Sequence, residues 1–515
     1  MNRRSSVFAA LIMLTGVAIR CTHLFLIDLT HEPYRLGGLF VAFADEIAAH
    51  NFQLPVNIPY YSSGGIPYAY PPLGFYVEAI LLKIFPGQIF AVANLLPPLV
   101  SILTLGLAAR FFYRWAGGWN LHSLSALAAY AILPGAFYNQ IDAAGLAESF
   151  GSLALVIYFA LLHAHQQNHS LKSASFAGLG LALCVLSSPG SALGATLISL
   201  ALVLDTLISV RWTEKIQPYL HLFWIGLTGL AISMPYWLSV ILHHGIGIFV
   251  SPVGMQYEES GSASFLGKLQ GNWFTYSALQ QDGVYFWSIA ILLGIGWLVW
   301  RRRKLFLPFA FLGLFSIPRE NGWVTAFPAA LLVAHGVADV LVPTIKSMSV
   351  STIRIRTGVM WAAFGLIGMS LILQAFELVN FQVRDQNWSL KAAQVDELRR
   401  AREIIPSSAQ VIVLGNGGLR EWAPYLLQRE VLNTEFGLEW QPAEYRQIFS
   451  ANKALDEAEN WQNVAEAVRS LTHQRQVYVI LDPNDSSGWS DIADHESFLV
   501  KMNTPELQVG ILKIP

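Results

Sequence analysis

Charge is what this sequence has least of. Only 13% of its 515 residues are Asp, Glu, Lys or Arg, while 54% are hydrophobic. A soluble domain carries about 25% charged residues. Half that density cannot clothe a water-exposed surface, so much of the chain must face lipid. The 34 acidic and 32 basic residues nearly cancel to a net charge of −2, which argues against a nucleic-acid partner. Cysteine is almost missing as well. Cys21 and Cys184 both sit in apolar stretches and supply neither a disulfide framework nor a zinc motif. Internal repeats and low-complexity tracts are also lacking.

What is present is a series of apolar runs. The first, Val7 to about Leu29, follows Met-Asn-Arg-Arg and is long enough to span a bilayer. It is longer than a signal-peptide core, so it reads as a retained signal anchor. Further spans are expected near 88–112, 119–138, 149–163, 173–187, 190–209, 218–242, 284–300, 304–317, 322–342 and 357–379, about eleven in all. Arg110, Arg114, Lys172, Arg211, Lys215, the run Arg301–Lys304, Lys346, Arg354 and Arg356 then fall on the side of the N-terminal arginines. The opposite connections hold almost no Lys or Arg. That asymmetry is the positive-inside pattern. It places the N-terminus in the cytoplasm, and it holds only if the short apolar stretch Pro72–Phe85 does not cross. The sixteen Trp suit membrane–water interfaces.

Three outer segments remain. The first loop, 28–86, carries a helix-like run at Leu39–His50. The second, His243 to about Asp282, contains Glu258-Glu259 and reads as mobile. The third is the tail. The expected division is a membrane domain over 1–380 and a soluble extracytoplasmic domain over 381–515. In the tail, Leu390–Ile404 and Glu444–Leu471 are charged and helical, and Gln410–Leu414 and Val477–Leu481 are short β-branched runs followed by turn residues. Strand, helix and strand in alternation predict a small α/β unit with a partly parallel sheet. The fold class is mainly α: a polytopic helical membrane protein with a small C-terminal α/β domain.

An ionisable residue at membrane depth is costly and is a functional candidate by default. The first loop offers Asp28, His31, Glu32 and Arg35 at the membrane face, then Asp45 and Glu46, then Tyr68-Ala-Tyr70-Pro-Pro-Leu73. Clustered carboxylates can act as general bases or cation ligands, and single ones as helix caps. Asp142 and Glu148 lie where one helix ends outside and the next begins. Asp142 fits either an N-cap or a second acid facing the first loop, and Glu148 needs a partner one or two turns down its helix. Arg319, in Pro-Arg-Glu-Asn-Gly-Trp, is a positive charge in an outer connection otherwise nearly free of them. A guanidinium fork suits phosphate, or it pairs with Glu320. Arg20 and His23 in the first helix either line the same cavity or pack. Gly415-Asn-Gly-Gly418 reads as a turn rather than a nucleotide loop.

These pieces in this order resemble the C-type glycosyltransferases (GT-C), in particular the branch containing protein mannosyltransferases and the lipid A aminoarabinose transferase. His31-Glu32-Pro33-Tyr34-Arg35 resembles the acidic motif after the first helix, Tyr70-Pro71-Pro72-Leu73 the Lys-Pro-Pro-Leu segment, and Asp142 a later acid. The similarity covers roughly residues 7–200. His31 stands where the family has Asp, so Asp28, Asp45 or Glu46 is left to supply that acid. Tyr70 stands where it has Lys.

The resemblance implies transfer of a sugar from a polyprenyl-phosphate donor to a glycan, lipid or protein acceptor on the outer face of the membrane. Asp28 or Glu32 would be the first-loop acid, Asp142 the second acid, and Glu46 and Glu148 reserves. Arg319, Arg35 and Tyr70 would meet the carrier. A divalent metal could bridge acid and phosphate, and no other cofactor is implied. The expected setting is a bacterial plasma membrane. Two other classes fit less well. A flippase or transporter of lipid-linked saccharides would place polar groups near the midplane in repeated halves. A non-catalytic assembly protein would leave the first-loop acids without a task.

Overall fold

A computed structural model describes residues 3–209, 216–250, 286–301, 305–317, 321–349, 354–458, 461–474, 476–483 and 498–514. Arg319, Glu258, Glu259 and the Arg302–Lys304 part of the basic run lie outside the described residues.

The chain opens with α1 (Arg3–Cys21), whose 19 residues rise roughly 28 Å and match a hydrocarbon core of about 30 Å. The first loop then folds into α2 (Gly38–Ala49), a short hairpin of β1 (Asn57–Ile58) and β2 (Ile66–Pro67), and α3 (Leu73–Ile84). Next come α4 (Ile89–Trp115), α5 (Leu121–Ile132), α6 (Leu146–Asn168), α7 (Leu171–Ser187), α8 (Pro189–Ser209) and α9 (Ile216–His244). They are followed by α10 (Phe286–Trp300), α11 (Phe306–Phe315), α12 (Asn321–His335), a π-helical turn over Gly336–Leu341, α13 (Val342–Ser349) and α14 (Arg354–Arg384).

Among the described residues, seven helices are long and apolar enough to cross a membrane. Leu121–Ile132 and Pro134–Gln140 form one bent apolar pair, the shape of a broken span or a re-entrant loop, and Leu171–Ser187, Phe286–Trp300 and Phe306–Phe315 are shorter apolar helices. Together these are the eleven stretches that hydropathy marks out. The protein is a polytopic integral membrane protein. At 12 residues, α3 is too short to join the spans, as its length predicts.

Local chemistry explains the breaks. Asn120 and Ser123 form a capping box that starts α5, and Ser170 and Ser173 do the same for α7. Pro134 ends α5. It lacks an N–H, and it pushes Leu133 into extended backbone with ψ 123°, so the chain turns through 78°.

The carbonyls freed at that bend find one partner, Arg20. Its Nη1 donates to Ala131 O at 2.9 Å and Gly16 O at 3.0 Å, its Nη2 to Ala136 O at 2.9 Å and Tyr130 O at 3.3 Å, and its Nε to Ser101 Oγ at 3.0 Å. A fully buried guanidinium with every donor used, at the negative end of α5, is a structural tie between α1, α4 and α5. Of the two readings of Arg20, packing holds.

The C-terminal domain contains α15 (Ala392–Ile404), β3 (Gln410–Leu414), α16 (Gly417–Leu427), β4 (Glu430–Val431), α17 (Pro442–Asp456), α18 (Trp461–Arg469), β5 (Gln476–Leu481), β6 (Phe498–Asn503) and β7 (Gln508–Lys513). The sheet order is β4-β3-β5-β7-β6. β3 is parallel to β4 and β5, and β7 is antiparallel to β5 and β6. The charged stretch expected as one helix over 444–471 is two, α17 and α18.

The first loop is built into this domain. Tyr61 bridges Val431 at the β4 edge of the sheet, with Val431 N–H donating to Tyr60 O at 3.0 Å and Ser62 N–H to Val431 O at 3.1 Å. The Glu421 carboxylate on α16 accepts the backbone N–H groups of Gly37 (3.0 Å), Gly38 (2.8 Å) and Leu39 (2.8 Å). These are the free donors at the start of α2. Gly37 has φ 152°, and a Cβ there would sit 2.4 Å from the Ala143 Cβ, while one at Gly38 would meet Trp422 at 3.0 Å. Only glycines admit this approach.

Replacing Glu421 with Ala leaves those amides without acceptors, at about 1–3 kcal/mol for each that water cannot reach. We expect limited proteolysis of the Asn387–Lys391 connection to speed up by about tenfold or more in Glu421→Ala. Glu421→Gln, which keeps an acceptor oxygen, should fall between it and the parent.

Candidate functional site

The end of the bundle that carries the first loop holds a cavity of about 420 Å³ between membrane helices and the C-terminal domain. Glu32, Tyr34 and Arg35 of the first loop, Leu26 and Ile27 after α1, and Asn387, Lys391, Asn416 and Asp482 of the tail are among the residues that line it. α1, the 3-10 turn that follows it and α14 present exposed apolar side chains, including Leu14, Phe25, Leu373 and Phe381.

The loop that forms the cavity wall is strapped on several sides. Asn94 of α4 accepts the Tyr34 N–H at 2.7 Å and donates to Glu32 O at 2.9 Å and Leu29 O at 3.3 Å. The Tyr34 hydroxyl donates to Gln382 Oε1 of α14 at 3.2 Å, and Gln382 in turn donates to Tyr138 O at 3.2 Å. His23 stacks on Tyr34 with ring centroids 4.4 Å apart.

Arg35 is the unusual member. Its φ is +62°, a left-handed conformation that costs a non-glycine residue of order 1 kcal/mol or more. The contacts around it hold it there: Trp422 Nε1–H donates to Arg35 O at 2.9 Å. Its Nη1 reaches Asp142 Oδ2 at 3.3 Å, with both side chains mostly buried. Its Nε is buried with no hydrogen-bond partner. A guanidinium with one arm paired and another donor unsatisfied is poised for an anion.

Burial pushes the Asp142 carboxyl up to about 6, against the pull of Arg35 and the Gly145 N–H. Burial likewise lifts Glu421 to about 7, against the three α2 amides and with added repulsion from Asp142. The two acids sense each other across the loop that carries Arg35.

The sequence-derived candidates divide clearly. Arg35 and Asp142 are brought together, and Glu32 lines the same cavity, its Oε1 accepting the Asp28 N–H at 3.0 Å. Asp28 is exposed and bonds its own turn, Thr30 and His31, which holds its carboxyl low at about 2. Glu46 pairs with His50 at 3.4 Å on α2. Glu148 is in the first turn of α6 and lines none of this cavity. Asp142 occupies the N-cap position of a short 3-10 turn over Ala143–Gly145 and also pairs with Arg35, so the cap position and the pairing with the first loop coincide. Tyr70 belongs to an aromatic cluster with Phe40, Phe75 and Trp440. Gly415–Gly418 leads into α16 with Asn416 as its cap, and Gly417 and Gly418 admit Trp388 and Ser389 against the helix start. That packing supports the turn reading.

Several contributors escaped the sequence reading: Glu421, Asn94, Gln382, Lys391 and Asp482. Glu78 is another, buried on α3 with its carboxyl raised to about 8 by desolvation alone. A carboxylate directly before the apolar run Trp422–Leu427 was the available signal for Glu421. Among the described residues, the His, Cys, Asp and Glu group close enough to share a metal ion is not at this cavity.

Asp142 titrates higher folded than unfolded (about 3.9 for a free Asp), so the folded chain holds its proton more tightly. Stability tied to Asp142 is therefore present at low pH and is lost as pH rises from about 4 through about 6. Removing Arg35 takes away an opposing charge. In Arg35→Ala, thermal unfolding across pH should show this loss extending to higher pH, and adding Asp142→Asn should abolish the extension.

No family model matches the chain, and no curated protein sequence matches it. Solved structures do. ArnT from Cupriavidus metallidurans, bound to undecaprenyl phosphate, aligns over 98% of this chain and 97% of its own, with a TM-score of 0.59 and 15% identity. The archaeal oligosaccharyltransferase AglB from Archaeoglobus fulgidus, in complex with an inhibitory peptide and a dolichol-phosphate, aligns over 98% of this chain and 74% of its own, with a TM-score of 0.58 and 14% identity. At such identities the likeness speaks for architecture. The chain shares its fold with these two solved structures over nearly its whole length.

Proposed function

We propose that the protein transfers a sugar from a polyprenyl-phosphate carrier to an acceptor hydroxyl at the outer face of a bacterial plasma membrane. In this reading the N-terminus is cytoplasmic and the C-terminal domain lies outside. The observation that carries it is Arg35. It is strained, held by Asp142, and lines a cavity next to lipid-facing helices with a buried donor unsatisfied. Two neighbours of the same architecture were solved with a polyprenyl-type phosphate, undecaprenyl phosphate in one and dolichol-phosphate in the other.

The chemistry follows from the groups in the cavity. The donor's tail lies along the apolar faces of α1 and α14, and its phosphate meets Arg35, with Lys391 on the opposite wall. Glu32 takes the proton from the acceptor hydroxyl. The acceptor oxygen forms a bond to the anomeric carbon as the bond from that carbon to the phosphate oxygen breaks. The carrier phosphate leaves with the electron pair, and Arg35 stabilises its charge. Asp142 keeps the guanidinium aimed. Because burial holds Asp142 near 6, it is ionised at neutral pH and can do this. The acceptor enters from the side of the C-terminal domain, past Asn416 and Asp482.

Arg35→Ala should cut transfer from a synthetic polyprenyl-phosphate sugar by about 10²-fold, the usual loss of one charge-stabilising donor. Glu32→Gln should cost about 10²–10⁴-fold, the range of a general base. Asp28→Asn should leave the rate near that of the parent. Full transfer by both Arg35→Ala and Glu32→Gln, with folding verified, would end the reading. Movement of the intact saccharide lipid between leaflets, with no transfer, would make the protein a flippase. Labelling of Lys501→Cys by an impermeant maleimide on intact cells tests the sidedness.

A further inference from the structure

The end of the bundle remote from the cavity contains a second polar cluster. Phe90, near the start of α4, packs edge-on to Trp422 of the C-terminal domain. Trp115, at the other end of α4, packs edge-on to His122 and His335 with ring centroids 6.2 and 5.5 Å away. Twenty-five residues of helix separate the two, roughly 38 Å. There His122 Nε2 lies 3.0 Å from Asp339 Oδ1, and His335 Nδ1 lies 2.7 Å from Asp339 Oδ2. The two imidazoles face each other at 5.6 Å between centroids.

We propose that His122, His335 and Asp339 form a binding site for a divalent transition metal of the zinc class. One ligand atom from each residue lies within 4.8 Å of the other two. Two imidazole nitrogens and a carboxylate oxygen are the borderline donor set that such ions prefer over magnesium or calcium. Three protein ligands leave a fourth tetrahedral position for water. With metal–ligand bonds of about 2.0–2.2 Å, neighbouring ligand atoms in a tetrahedral site stand roughly 3.4 Å apart. The two His–Asp339 contacts, at 3.0 and 2.7 Å to different carboxylate oxygens, lengthen by roughly half an ångström as the side chains turn toward one centre.

The backbone supports the assignment independently. Gly336–Leu341 is a π-helical turn, a rare insertion within α-helices that is frequent at functional sites. Asp339 sits inside that turn, four residues after His335. The turn is pressed against α10: a Cβ on Gly336 would lie 2.0 Å from Ala290 O, and one on Gly294 would lie 2.1 Å from Leu332 O. Asp339 is thus presented to α5 by a segment whose path is fixed by close helix packing. A cavity of about 290 Å³ borders His335 and is lined also by His163, Gln166 and Asp205, which gives an ion a polar way in.

Without metal, the imidazole N–H groups donate to the Asp339 carboxylate. To bind an ion, each neutral imidazole carries its proton on the other ring nitrogen, and a protonated one releases it. Metal at this place ties α5 to the α12–α13 junction. The ligands come from separate spans, so the site reports on assembly of the bundle and not on sugar transfer.

The test uses tag-free full-length protein in nanodiscs, stripped with chelator and titrated with Co²⁺ or Zn²⁺. The parent should bind one equivalent, give the intense visible spectrum of tetrahedral Co²⁺, and gain thermal stability with Zn²⁺. Asp339→Asn and His122→Gln, which keep size and polarity, should weaken binding by at least about tenfold and lose both signals. Their thermal stability without metal shows that they fold. Undiminished one-equivalent binding in both variants would place the ion elsewhere, for example among His165, His169 and His221, and overturn the assignment. Absence of saturable binding by the parent would overturn it too, leaving a hydrogen-bonded triad only.

Discussion

The half of the molecule that carries the C-terminal domain depends on one carboxylate meeting one helix start. Glu421 gives α2 the acceptors that its first turn lacks, and it does so from a helix 384 residues away in the chain. Desolvating a carboxylate is costly, and three short N–H contacts at the positive end of α2 offset that cost. Everything beside it follows from the same placement. Trp422 lies against Gly38 and pins Arg35, Tyr61 extends the sheet edge, and the aromatic cluster of Phe40, Phe43 and Tyr70 closes the gap below. The C-terminal domain forms one wall of the cavity and is no mere appendage.

Within that frame, two buried acids and one arginine share a small volume. Burial raises the proton affinity of both, Asp142 adds to that of Glu421, and Arg35 lowers that of Asp142. An anion entering beside Arg35 would find a cation whose own counter-ion is dry and weakly screened.

Much of this was legible in the residues. The spans were, because a 54% hydrophobic chain leaves little else for its apolar runs to do. The bend at Pro134 was not, because a proline in a long apolar run does not announce how sharply the chain will turn. In the tail, Gln410–Leu414 and Val477–Leu481 read as strands because they are β-branched and punctuated. β4, with two residues, and β6, largely exposed, carry too little signal. At the site, Arg35 and Asp142 were each named but not as partners, since 107 residues separate them. Asp28 and Glu32 look alike in sequence and differ in role. One turns back on Thr30 and His31, and the other faces the cavity. Glu421, Asn94 and Gln382 act through contacts that no local pattern encodes.

The shared sheet edge has a consequence for biosynthesis. The first loop is made early, yet the strand it bridges and the carboxylate that caps its helix emerge hundreds of residues later. Until then, Tyr61, the Gly37–Leu39 amides and the face of α2 must wait at the membrane surface, half-assembled. The pocket can close only after the last soluble segment has been translated and has docked, so a prematurely terminated chain would insert normally and remain inert. Late docking of this kind makes the protein's own tail the final checkpoint on its competence.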